Sequence, residues 1–275
     1  MQEITREVLI QKAEELLSAG TVDRVLGLMR GEFCYDVTPA VFESAEALEQ
    51  GFVWNDFCGA NFSKALVREA GKGEGKILVF LKPCDTYSFN QLLTEHRFDR
   101  EKVYAVGIPC AGMLDPYRVR ALAESVAAVE DDGKTVTVET LFDGKKTAPR
   151  EQLLAERCLS CKSKKHVAYD ELLGEDGEEL DSHRFDEVER LEAMTPDERF
   201  AFWQGELSRC IRCNACRDIC PACTCEKCVF DNPNSGVENK AAANSFEEKM
   251  FHIIRAFHVA GRCTDCGECS RVCPQ

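Results

Sequence analysis

The chain has 275 residues, seventeen cysteines and a formal net charge of −14, a length that fits about two globular domains. That acidity makes nucleic acid and anionic membranes poor partners, although it suits docking to a basic patch on another protein. No apolar stretch approaches the ~20 residues of a membrane span, and an odd cysteine count without a signal peptide argues against a disulfide framework and for a reducing cytosol.

The opening stretch, MQEITREVLIQKAEELLSAG, reads as an amphipathic helix closed by Gly20, with acidic residues where a signal peptide would carry its apolar core. Asn55, Asp56, Cys58 and Asn61 in WNDFCGANFSKAL open a further helix. Two short buried-strand patterns follow, ILVFL at Ile77 to Leu81 and VYAVGI at Val103 to Ile108. Between them TYSFNQLLTEH has helical spacing at Phe89, Leu92 and Leu93. The unit is a predicted strand, helix and parallel strand, a crossover that puts both strand C-termini on one edge. Both strands run into Pro-Cys, at Pro83-Cys84 and Pro109-Cys110, so two thiols distant in sequence meet at one rim. Asp85 is expected to cap the helix beginning after it. A Cys-x2-Cys pair, Cys158 and Cys161, completes a set of four.

The segments KPCDTYSF, REKVYAVGIPCAGMLDP, CLSC and YDELLGE, spanning roughly Lys76 to Glu175, resemble the C-terminal domain of the coenzyme F420 (deazaflavin) hydrogenase and formate dehydrogenase beta subunits. That family includes bacterial relatives tied to heterodisulfide-reductase-type complexes. The resemblance implies a 4Fe-4S cluster on Cys84, Cys110, Cys158 and Cys161. The plainer reading is two buried core thiols and a zinc-binding pair. Beta subunits of this family bind FAD across both of their portions, whereas here the portion before Lys76 is short. The Gly71-to-Lys76 run also precedes a strand, while a dinucleotide fingerprint follows one. His166, beside Lys164 and Lys165, is expected to be a solvated loop histidine, the alternative being a positive charge near that cluster.

The acidic segment GEDGEELDSHRFDEVERLEAM, Gly174 to Met194, contains little that could form a core and reads as a surface connection. It divides the chain into an α/β domain at 1–194 and a second domain at 195–275. Thr195, Pro196 and Glu198 start the second domain with a capping box, and a helix through Phe200, Phe202 and Trp203 delivers the chain into Cys210.

Two runs then carry the strongest signal in the sequence, CIRCNACRDICP at Cys210 to Pro221 and CTDCGECSRVCP at Cys263 to Pro274. Each is the Cys-x2-Cys-x2-Cys-x3-Cys-Pro pattern by which bacterial-type ferredoxins hold 4Fe-4S cubanes, the fourth cysteine ligating the other cluster. On that pattern Cys210, Cys213, Cys216 and Cys273 hold one cubane, and Cys263, Cys266, Cys269 and Cys220 hold its neighbour. A zinc ribbon has no use for the third cysteine of each run. Cys223, Cys225 and Cys228 in PACTCEKC could ligate a further metal, stand as shielded thiols, or compete with Cys220. The insertion between the runs has a capping box, Ser245 with Glu248, and a helix on which Phe246, Met250, Ile253, Ile254 and Phe257 share a core-packing face before Gly261.

The expected architecture is an α/β N-terminal domain with a mostly parallel sheet, followed by a small α+β ferredoxin-like dicluster domain with a helical insertion. The expected function is a cytoplasmic iron-sulfur electron-transfer subunit, without catalytic residues of its own, in an anaerobic multisubunit oxidoreductase of the formate dehydrogenase, hydrogenase or heterodisulfide-reductase kind. The alternative is an FAD-containing subunit that itself exchanges hydride with a deazaflavin or nicotinamide. The sequence stops at Gln275, just past Cys273-Pro274, which leads to the expectation of further residues or of a partner redox subunit shielding that cluster.

Overall fold

A computed structural model describes residues 4–73, 75–162, 164–178, 183–231 and 245–275, with side chains from 250 onward in the last segment. The chain divides into two compact units, Met1–Ser182 and His183–Gln275.

In the first unit α1 (Arg6–Ser18) begins at Thr5, whose hydroxyl accepts the Val8 N–H, and ends before Gly20, which turns the chain at φ 66°. Then come β1 (Arg24–Arg30), β2 (Val37–Phe42), α2 (Ala45–Gly51), α3 (Ser63–Ala70), β3 (Ile77–Leu81), α4 (Pro83–Thr94) and β4 (Val103–Gly107). After α5 (Pro116–Leu122), an antiparallel meander of β5 (Val126–Asp131), β6 (Thr135–Thr140) and β7 (Lys145–Pro149) leads into the single turns α6 (Arg150–Leu153) and α7 (Glu156–Leu159) and the two-residue β8 (Glu171–Leu172).

The main sheet has the order β2-β1-β3-β4-β8, and every pairing is parallel except β1 with β2. The two apolar runs pair from Ile77↔Val103 to Leu81↔Gly107, with α4 as the crossover between them. All of β3 is buried because successive side chains feed opposite layers. Ile77, Val79 and Leu81 join Leu66 and Phe89 on one face; Leu78 and Phe80 join Leu9, Ile10, Ala13 and Leu16 of α1 on the other. The meander has its own core, Val126, Val136 and Val138 against Leu114, Val119 and Leu153.

The second unit holds α8 (Asp186–Glu192), α9 (Pro196–Ser208), α10 (Ala215–Ile219), α11 (Ser245–Val259) and α12 (Glu268–Arg271). α8 lies inside the acidic stretch expected to be a connection, and it buries none of its side chains. α9 opens with the expected capping box, Thr195 Oγ1 accepting the Glu198 N–H at 3.3 Å and the Thr195 N–H donating to Glu198 at 2.9 Å. Where a small α+β fold is expected, the described residues of this unit form helices and loops and no strand. Left-handed turns around the cysteines, at Arg212, Asn214, Asp265 and Gly267, shape the backbone here in place of a ladder. The face expected to pack the core on α11 is also corrected. Met250, Ile253 and Phe257 are exposed, and Phe251 is the buried residue, its ring 4.7 Å from that of Phe230. The Ser245 and Glu248 side chains and Phe246 lie outside the described residues.

Candidate metal centres

The rim of the main sheet is built by the way β3 enters α4. Lys82 is the N-cap and Pro83 takes the first helical position, where its missing N–H costs nothing, so Cys84 stands in the first turn. Asp85 is therefore inside the helix, not ahead of it as expected. Its carboxylate accepts the Lys82 N–H at 3.1 Å and faces Lys82 Nζ at 2.7 Å, and both side chains are fully buried. Lys82 Nζ also donates to Ala60 O at 3.1 Å. Burial works against the ammonium, but Asp85 and the Cys84 thiol outweigh it and hold Lys82 above its ordinary pKa. Burial likewise pushes the Asp85 carboxyl up, against the pull of Lys82. The 2.7 Å contact favours the ionic form of the pair against the burial that opposes it.

Around this pair three of the four predicted cysteines meet. Burial pushes the Cys84 thiol well up, reinforced by Asp85, opposed by Lys82, and raised further by Cys110. Burial also raises Cys110, with Lys164 and Lys82 opposing and Cys158 adding. Cys84 and Cys110, and Cys110 and Cys158, are thus electrostatic neighbours. The Gly112 N–H donates to Cys110 Sγ and the Met113 N–H to Cys158 Sγ, each at 3.4 Å. Gly112 makes this possible at φ 111°, a conformation that side chains rarely adopt. Cys161 lies half-buried in the loop after α7.

His166, expected in a solvated loop, is buried, and its ring braces the rim. Nε2 lies 3.0 Å from Leu81 O and 3.1 Å from Ile108 O, at the ends of the two strands that lead to Cys84 and Cys110. Nδ1 lies 2.5 Å from Asp176 Oδ1. Gly107 permits this, since a Cβ there would meet Leu172 Cδ1 at 2.9 Å and His166 Cδ2 at 3.0 Å. No sequence signal marks His166 for this role, because its partners are backbone carbonyls and a carboxylate ten residues on. The Lys82–Asp85 pair did leave one, the three-residue spacing of a capping box across a proline.

In the second unit the two cysteine runs repeat one backbone design. Arg212 and Asp265 are left-handed, both at φ 53°, and donate their N–H groups to Cys210 Sγ and Cys263 Sγ, each at 3.4 Å. Asn214 at φ 64° and Gly267 at φ 70° are left-handed again and become the N-caps of α10 and α12. Asn and Gly are the residues that tolerate this conformation, and turned N–H groups make the anion-receptive concavities found at iron-sulfur sites. α10 lies against α12. Burial pushes the Cys216 thiol up, with Arg255 opposing and Cys269 and Cys210 reinforcing. A hydrogen bond with Cys223, then burial and the Cys223 charge, push Cys220 far above its ordinary value, and Cys266 adds to this. Cys220 thereby stands beside a cysteine of the opposite run. Cys213, Cys263, Cys269 and Cys273 are exposed and Cys266 is half-buried; of the extra thiols, Cys223 and Cys228 are half-buried and Cys225 is exposed.

Among the described residues no group of three or more His, Cys, Asp or Glu side chains converges closely enough to hold a single metal ion. A cubane asks for something different, since each thiolate binds its own iron corner and the sulfurs need not converge on one point. Cysteines outside any disulfide, N–H donors aimed at sulfur and cations that favour thiolates fit such a group at both places.

Comparison with known proteins agrees with this chemistry. Residues 206–275 match the family described as 4Fe-4S dicluster domain. The F420-dependent formate dehydrogenase subunit beta of Methanocaldococcus jannaschii is 24% identical over 317 residues, covering 94% of this chain and 82% of the relative. The F420-dependent formate dehydrogenase 1 subunit beta of Methanococcus maripaludis is 24% identical over 279 residues, covering 78% and 71%. A chain of the F420-reducing [NiFe] hydrogenase complex from Methanosarcina barkeri has a TM-score of 0.44 at 16% identity, covering 56% of this chain and 58% of that one. The chain is thus similar over most of its length to F420-dependent formate dehydrogenase beta subunits, and its residues 206–275 match a 4Fe-4S dicluster domain.

Proposed function

We propose that the chain is an iron-sulfur electron-transfer subunit of a multisubunit oxidoreductase, relaying electrons between a partner's catalytic centre and another redox cofactor. The observation that carries this reading is the repeated cysteine loop, in which the same left-handed positions and the same N–H to Sγ bond recur in two runs. Bound there, 4Fe-4S cubanes supply one-electron carriers. In the finer assignment Cys210, Cys213, Cys216 and Cys273 hold one cubane and Cys263, Cys266, Cys269 and Cys220 the other. The closeness of Cys220 to Cys266 supports the crossed arrangement. A third cluster on Cys84, Cys110, Cys158 and Cys161 is supported by the meeting of the first three at the sheet rim. The setting is an anaerobic, cytoplasmic complex of the formate dehydrogenase, hydrogenase or heterodisulfide-reductase kind. The relatives' names support the first of these, and no helix among the described residues is long and apolar enough to cross a membrane.

Anaerobic purification tests the reading. About twelve irons per chain are expected from three cubanes, against about eight from the dicluster domain alone. Cys84→Ser should remove one cluster and leave the other two. Unchanged iron content and an unchanged low-temperature EPR spectrum of the reduced Cys84→Ser protein would eliminate the rim site. Acid denaturation that releases a yellow flavin, with hydride exchange to a soluble deazaflavin or nicotinamide, would instead make the chain an FAD-containing catalytic subunit.

A further inference from the structure

Arg255 reaches from α11 towards the cysteine loops. Its Nη1 donates to Cys223 Sγ at 3.7 Å, and the Cys223 N–H is tied to Cys220 O at 3.0 Å, which fixes the guanidinium beside the end of the first run. The guanidinium is half-buried. Cys216, Cys223 and Cys220 are its electrostatic neighbours. Three other arginines near these loops are neutralised by carboxylates: Arg217 pairs with Asp218 and Asp231, Arg184 with Asp265, and Arg271 with Glu268. No carboxylate partner of Arg255 is found among the described residues. Its charge faces sulfur.

Placement near Cys216 and Cys220 matters because the crossed assignment gives these two thiols to different cubanes. A one-electron reduction adds one negative charge at such a site, and the electron arrives from the partner's redox centre or, in a titration, from dithionite. A fixed cation held next to the ligand sulfurs makes that added charge more favourable, and local charge is among the factors that set iron-sulfur potentials. The alignment also accounts for Cys223, whose sulfur anchors the guanidinium instead of ligating a further metal. We propose that Arg255 is a potential-setting residue of the dicluster domain, raising the reduction potential of the cubane or cubanes ligated by Cys216 and Cys220, with Cys223 as its anchor. This inference rests on the reading of the two runs as cubane sites.

The experiment is an EPR-monitored redox titration of the anaerobically purified full chain with dithionite, alongside its iron content, for the wild type, Arg255→Gln and Arg255→Lys. A wild type without cubane signals or iron would defeat the underlying reading before Arg255 is tested. With cubanes present, Arg255→Gln is expected to keep its iron and to lower at least one dicluster potential by about a tenfold shift in the reduction equilibrium, which is about 59 mV for a one-electron couple. Arg255→Lys is expected to retain most of the wild-type potential, because it preserves the charge. Unchanged potentials in iron-replete Arg255→Gln would overturn the proposal. So would iron loss in both variants, which would make Arg255 a structural brace.

Discussion

Lys82 and Asp85 form an ion pair with almost no access to water, and they flank Cys84 in the turn that presents it. Taking both charges out of water is costly, and removing one partner leaves the other uncompensated. Lys82→Met is therefore expected to destabilise the protein by about 3–5 kcal/mol, read as a lowered midpoint of chemical denaturation. A double variant, Lys82→Met with Asp85→Leu, should regain much of that loss. A Lys82→Met protein as stable as the wild type would mean that the two groups are not ionised in the folded protein. Cys58, expected at the start of a helix, lies in the core just before α3, receives the Asn55 N–H at 3.2 Å, and is pushed up to about 11 by burial. Since the folded thiol's value lies above that of an unfolded thiol, its contribution to stability is complete below about pH 8.5 and is lost as pH rises towards the folded value. Denaturation midpoints of wild type and Cys58→Ala should therefore converge as the pH is raised from 8 to 11. A constant difference across that range would show that ionisation of Cys58 is not linked to folding.

The elements show why some of this architecture could be read in advance and some could not. Strands β3 and β4 were legible because a strand buried on both faces is a continuous apolar run, and the Pro-Cys pairs that follow them marked the rim. The meander of β5, β6 and β7 was missed because its inward residues are few, Val136 and Val138 alternating with threonines and a glutamate. The cysteine spacing pointed to the loops but not to their bracing. His166, Arg255 and the Cys220–Cys223 contact depend on distant backbone and helix faces that no local pattern encodes. The misread face of α11 has a similar cause, since Phe251 is chosen for burial by Phe230 of a neighbouring turn. The crossed placement of Cys220 beside Cys266 gives an expectation at this scale. Cys220→Ser should disturb both dicluster cubanes, one through the lost ligand and the other through the packing of α10 on α12. Loss of one cubane with the other keeping its potential would favour uncrossed ligation through Cys223. Gly107→Ala should cost about 1–3 kcal/mol by pushing the His166 ring from its place between strand ends. A variant with an unchanged denaturation midpoint would show that the rim yields freely.

For the whole molecule, the acidic surface and the exposure of Cys213, Cys263, Cys269 and Cys273 bear on stability in air. Clusters held by exposed thiolates are open to solvent and oxidants. Protein co-purified with a redox partner should therefore keep its iron in air for longer than the isolated chain, as followed by the decay of visible absorbance. Equal decay rates would argue against a partner covering these loops. The borders of the main sheet bear on how a partner can be held. One border is β8, only two residues long, and the other is β2, in which Pro39 has no N–H to give. A proline within a strand keeps its donor-less side on the outer margin, and short or proline-bearing margins resist the addition of a foreign strand. Recognition at this sheet must then pass through side chains rather than shared backbone ladders. Such a complex can be tuned, or taken apart, by single charges.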